Sequence, residues 1–128
     1  MANREKDWFN QALKDLDQAK ISLEHKRYEW ACFASHQAAE KAIKALHLHL
    51  QEEAWGHTCS KLLEELPLEV PSELIDKAKV LDTFYIPTRY PNGFPEGAPY
   101  QHYGKPQAEE AIRYAQEIIE FARSKMAI

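Results

Sequence analysis

The chain has 128 residues, a net charge of −4, 45% hydrophobic residues and 28% charged ones. That is room for one domain, 1–128, with a core that needs no staples. It excludes a helical membrane span, because no apolar run approaches the roughly 20 residues required, and it excludes a globally basic nucleic-acid binder, so any anion must be drawn by a local patch.

The N-terminal MANREKDW lacks the apolar centre of a secretory leader, so a cytoplasmic protein is expected. Asn3 to about His25 carries Trp8, Ala12, Leu16, Ala19 and Leu23 at helical spacing, with Phe9 and Leu13 widening the stripe. A second helix is predicted from about Tyr28 to Glu52. It is apolar over most of its circumference, which marks it as the central, buried helix. Cys32 falls in its Ala-rich part and reads as a small core residue. Cys32 and Cys59 together make neither a disulfide framework nor a metal motif.

Gly56 breaks the pattern. Thr58 then suits the N-cap of a short helix that reaches Leu66 and stops at Pro67. Pro71 and Ser72 open a further helix, with Leu74, Ala78, Leu81 and Tyr85 on one face, until Pro87 ends it. A last helix starts near Pro106, with Ala108, Ala111, Ile112, Ala115, Ile118, Ile119 and Ala122 as its stripe. No strand alternation of convincing length occurs. The expected fold is all-α, an up-and-down bundle of four main helices plus one short one.

Between the last two helices lies TFYIPTRYPNGFPEGAPYQHYGK, Thr83 to Lys105. Its four prolines forbid a helix, and a structureless run of about 20 residues is unusual in a compact domain unless it is functional or disordered. Disordered segments are poor in aromatic residues. This one holds Phe84, Tyr85, Tyr90, Phe94, Tyr100 and Tyr103, and therefore reads as an ordered loop with a role.

The loop also carries the one pair with catalytic potential, Arg89 and His102. Arginine can hold a phosphate with two donors, and histidine can pass a proton near neutral pH. The competing reading is that Arg89 ties the loop down and His102 is merely exposed. Tyr85, Tyr90, Tyr100 and Tyr103 could stack bases or could pack the loop. Lys105 adds positive charge where the last helix begins. Gln37, Lys41 and Lys44 form a polar ridge at i, i+4 and i+7 on the second helix, either a contact for a phosphate or partner or simply its solvated face. No metal site is expected. His47 and His49 point to nearly opposite sides of a helix, and His36 and Glu40 share a face without an evident third ligand. Nor is any cofactor implied. His57 reads as a capping or packing residue.

The runs FASHQAAEKAIKALHLHL (Phe33 to Leu50), WGHTCSKLLEEL (Trp55 to Leu66) and YIPTRYPNG (Tyr85 to Gly93), in that order, closely resemble the HEPN domain, a nucleotide-binding domain of higher eukaryotes and prokaryotes. The resemblance implies an all-α bundle, usually a homodimer. It also implies a nucleotidyltransferase partner in a toxin–antitoxin-like module, with a nucleotide or RNA as ligand. Some members are metal-independent ribonucleases whose site resembles an Arg followed by a His after four to six residues, two copies meeting across the dimer. Here Arg89 and His102 are separated by twelve residues, and no other Arg is followed by His at that spacing. An interaction and nucleotide-binding module is thus the expected function, with a ribonuclease toxin using Arg89 and His102 as the alternative.

Overall fold

A computed structural model describes residues 3–127. Its helices are α1 (Glu5–Glu24), α2 (Tyr28–His49), α3 (Cys59–Glu64), α4 (Ser72–Asp82) and α5 (Lys105–Met126), and no strand occurs among the described residues. The all-α bundle is therefore as expected.

The small residues of α2 determine the packing. Ala31, Ala38, Ala39, Ala42 and Ala45 are fully buried, with Ile43 and Leu46 between them. Side chains this short let the neighbouring backbones come close. Helix α1 covers one side of α2 with Phe9, Ala12, Leu16 and Ala19, and α5 brings Ala108, Ala111, Ile112, Ala115, Ile118, Ile119 and Ala122 into the same core. Polar ties fix the ends. His47 Nε2 lies 2.8 Å from the Leu62 carbonyl, which can only accept, so that nitrogen carries the hydrogen.

Two helices end earlier than their periodicity suggests. Gln51 adopts a φ of 62°, and the Glu52 N–H turns back to the His47 carbonyl at 2.9 Å, so α2 stops at His49. Helix α4 stops at Asp82 rather than Tyr85, because the Thr83 hydroxyl donates to the Val80 carbonyl at 2.6 Å and the Phe84 N–H tightens onto Leu81. Thr58 sits at the N-cap of α3, but its side chain makes no capping bond. The cap comes from Asp82, 22 to 23 residues on. Its carboxylate accepts from the Cys59 N–H at 2.6 Å, the Ser60 N–H at 3.3 Å and the Ser60 hydroxyl at 2.6 Å. We expect Asp82→Ala to cost about 1–2 kcal/mol, the upper range for a lost N-cap. Asp82→Asn should cost less. Urea unfolding of both variants measures the difference, and equal losses would assign Asp82 a different role.

The long loop is ordered by a string of rings. Phe84 is in the core, Tyr103 meets it edge-on at 6.0 Å, Phe94 meets Tyr103 edge-on at 6.1 Å, and His102 stacks on Phe94 at 3.9 Å. Short 3₁₀ turns at Pro91–Gly93 and Pro99–Gln101 take up the prolines. Gly97 is required twice over. Its φ is +81°, and a Cβ there would lie 2.9 Å from His102 Nε2.

Candidate functional site

Thr88 is buried and donates its hydroxyl to the Phe84 carbonyl at 2.6 Å, closing a tight turn after α4. The turn folds Arg89 back on itself, so that its Nε donates to the Tyr85 carbonyl at 2.9 Å. The guanidinium carbon then lies 4.4 Å from the Phe33 ring centroid, 4.9 Å from Tyr85 and 5.4 Å from Tyr90. A planar cation gains from such ring faces while keeping its outer donors free. Among the described residues no carboxylate pairs with Arg89 and its terminal nitrogens make no hydrogen bond. The guanidinium rests on α2 through Phe33.

A second polar group reaches the same Tyr85 ring through His57. Glu40 of α2 is buried and bridges two cations or donors: its Oε2 accepts from Lys44 Nζ at 3.0 Å, and its Oε1 lies 3.0 Å from His57 Nδ1. His57 follows Gly56, whose φ of +98° swings the chain over the top of α2. The imidazole stacks on Tyr85 at 4.6 Å and 18°, while its side chain stays 52% exposed. His36 supports the arrangement from below. Its Nε2 lies 2.7 Å from the His57 carbonyl, and its ring tilts against Tyr85 at 5.1 Å. Tyr85 is thus the shared platform of Arg89, His57 and His36.

The other sequence candidates divide. Tyr90 is 50% exposed and borders Arg89. Gln37 and Lys41 line a groove of about 520 Å³ between α1 and α2, with Arg27, Trp30, Phe33 and Asp15. Lys41 is tied there to Asp15 at 2.5 Å. Phe33 belongs to both places, so the groove runs on from the Arg89 platform. Lys44 turns away to Glu40 and to the Trp8 ring, 5.7 Å off, so the ridge is split rather than acting as one face. Lys105 is exposed at the start of α5, with no ion pair among the described residues. His102 is spent within the loop: besides its stack on Phe94, its Nε2 lies 2.7 Å from the Glu96 carbonyl. No hydrogen bond joins it to Arg89 among the described residues.

His36, Cys59 and Asp82 bring ligand-type atoms within 4.8 Å of one another. Each is already committed: Asp82 to the α3 cap, His36 to the His57 carbonyl and Gln37, and the Cys59 thiol to the His36 carbonyl at 3.7 Å. Burial, then the nearby Asp82 charge, pushes the Cys59 thiol well above its ordinary range, which disfavours the thiolate a metal would need. Burial, helped by Glu29, pushes Cys32 up to about 12. Neither thiol should therefore react with iodoacetamide at pH 8 in the folded protein, and both should react in urea. Mass spectrometry counts the adducts, and a single adduct on the native protein would contradict the buried placement.

An all-α bundle of this kind is the class of architecture on which the comparisons converge. The HEPN domain family model matches residues 5–125, and the chain belongs to that family. A relative in Methanocaldococcus jannaschii named "Putative toxin MJ1304" is 27% identical over 124 residues, covering 88% of this chain and 82% of that protein. The crystal structure of TT1696 from Thermus thermophilus superposes with a TM-score of 0.95 at 48% identity, over 97% of this chain and 99% of that one. ST0689, an archaeal HEPN homologue, gives 0.85 at 38% identity, over 98% and 99%. A HEPN domain protein from Thermotoga maritima gives 0.78 at 38% identity, over 94% and 98%. No helix among the described residues is long and apolar enough to cross a membrane.

Proposed function

We propose that this chain is a toxin-like HEPN module that takes the phosphate of a nucleotide or RNA at Arg89, with Tyr85, Tyr90 and Phe33 offering ring faces beside it. The observation that carries this reading is the guanidinium fixed through Nε and resting on three rings, with no carboxylate among the described residues to neutralise it. Such a group is held in place before a ligand arrives, so little of its freedom remains to be lost on binding. The relative named as a toxin supports the coarser part of the reading. A homodimer and a nucleotidyltransferase partner complete it, on the family resemblance.

The second reading is a metal-independent ribonuclease, which needs a histidine beside Arg89. His102 is turned onto the Glu96 carbonyl, whereas His57 stands on the Tyr85 ring that also carries Arg89.

The test is a titration of a fluorescein-labelled single-stranded RNA at low and moderate salt, with AMP and inorganic phosphate as competitors. Competition by AMP stronger than by phosphate is expected, since the rings reward a base. No binding at low salt would sink the proposal. Light scattering of the same sample reports whether 14.8 kDa chains pair.

A further inference from the structure

We infer that the groove between α1 and α2 extends the Arg89 contact, with one base on Trp30 and a second phosphate at Arg27. The substrate class of the site is then a strand of RNA with at least two phosphates, not a mononucleotide. The inference rests on Arg89 as the first phosphate contact and adds a path and a length to the ligand.

The groove follows one face of a helix. Arg27, Trp30, Phe33, Gln37 and Lys41 succeed one another in steps of three or four residues, and all five line it. Arg27 is the N-cap of α2. Phe33 also carries the Arg89 guanidinium, 4.4 Å from its ring centroid. A strand that leaves Arg89 along this face therefore meets Trp30 and then Arg27. Six residues separate Arg27 from Phe33, about 9 Å of helix axis, which leaves room for a nucleoside between two phosphates.

The rings ask for more than one base. Trp30 is 48% exposed and stands edge-on to Phe33, at 6.0 Å and 84°. Because the two planes are nearly perpendicular, a base stacked on Trp30 is not the base stacked beside Arg89. Charge points the same way. Asp15, the one carboxylate among the lining residues, is paired with Lys41. Arg27 is exposed, and no carboxylate pairs with it among the described residues. Arg27 and Arg89 thus remain as two unneutralised cations in a chain of net charge −4. Cations that flank an open aromatic face suit a strand of bases on a phosphate backbone.

The walls are set in advance. Lys26 takes a φ of 60°, and the Arg27 N–H donates to the Ser22 carbonyl at 2.7 Å, which fixes the mouth of the groove. Gln18 Nε2 donates to the Ser22 hydroxyl at 3.1 Å, and Gln37 is tied to His36 Nδ1 at 2.9 Å. Side chains already held lose little freedom when a ligand arrives. The groove volume of about 520 Å³ is that of an ordinary ligand site.

The experiment titrates full-length protein with AMP and with the 5′-phosphorylated dinucleotide pApA, read by tryptophan fluorescence and by competition with the labelled RNA. For wild-type protein pApA should bind about 5–150-fold tighter than AMP, the range for one further base stack, and should quench the fluorescence. Trp30→Ala should erase most of that gain. Trp30→Phe should keep much of the affinity and lose the quenching, and it serves if the alanine variant unfolds. Arg27→Ala should weaken pApA and lower the slope of log affinity against log salt by about 0.7, one phosphate contact on a single strand. If pApA binds no tighter than AMP, this inference falls and the Arg89 contact stands. Binding of neither ligand removes both. Affinity for pApA that survives Trp30→Ala and Arg27→Ala also overturns it. So does a Trp30→Ala chain that passes from dimer to monomer in light scattering, which assigns the groove to a second copy.

Discussion

Glu40→Leu is expected to be among the most destabilising single changes in this protein, at about 3–5 kcal/mol, the cost of breaking a buried ion pair by removing one partner. The Glu40 side chain is 5% exposed and Lys44 only 12%. Removing the carboxylate strands the ammonium in a low-dielectric wall between α2 and Trp8 and frees the His57 ring. The charge cannot easily escape, because Lys44 leaves the middle of a helix packed on both sides. The double variant Glu40→Leu/Lys44→Met should recover most of the loss, since an apolar pair of similar size removes the stranded charge along with its partner. Urea unfolding of the two singles and the double closes the cycle. If the singles cost under about 1 kcal/mol, Lys44 is solvated and the pair behaves as a surface one.

Arg89→Ala is expected to divide the other way, losing ligand and keeping fold. Its anchors are one hydrogen bond to the Tyr85 carbonyl and contacts with rings that are themselves half-buried or exposed. Truncation should weaken RNA or AMP binding by about 1.5–3 kcal/mol, the range for a hydrogen bond to a charged group. The melting temperature should change by no more than a few degrees. Arg89→Lys should recover charge but not the planar fork, and so regain only part of the affinity. The outcome that sinks the site is a drop in melting temperature with RNA affinity as in the wild type.

The bundle was legible because its signal is local and repeated. The Ala108–Ala122 stripe of α5 and the nearly unbroken apolar surface of α2 each need only one helix to be read. The proposed site was legible in part, since Arg89 stands out in the proline-rich loop, with Tyr85 and Tyr90 near it in sequence. The other group on the Tyr85 ring does not, because His57 reaches that ring only through a turn made by Gly56 and a contact with α2 seventeen residues earlier in the chain. One trace was present. Glu40 is an acid on a helix apolar almost all round, and such an acid must be paired. For His102, nearness in sequence to Arg89 says nothing about where the ring goes, and it stacks on Phe94 within the loop. The cap of α3 by Asp82 was likewise invisible to any local rule.

One wall of the site comes from a single rod. Phe33, His36, Gln37, Glu40, Lys41 and Lys44 are successive steps along α2. Amides inside such a helix are expected to exchange with solvent through larger openings of the domain than those of the Tyr85–Tyr90 turn, which lies outside the helices, and hydrogen exchange measures the difference. The two walls therefore live on different clocks. The proposed ligand would then be fitted by the loop wall against a face held by α2.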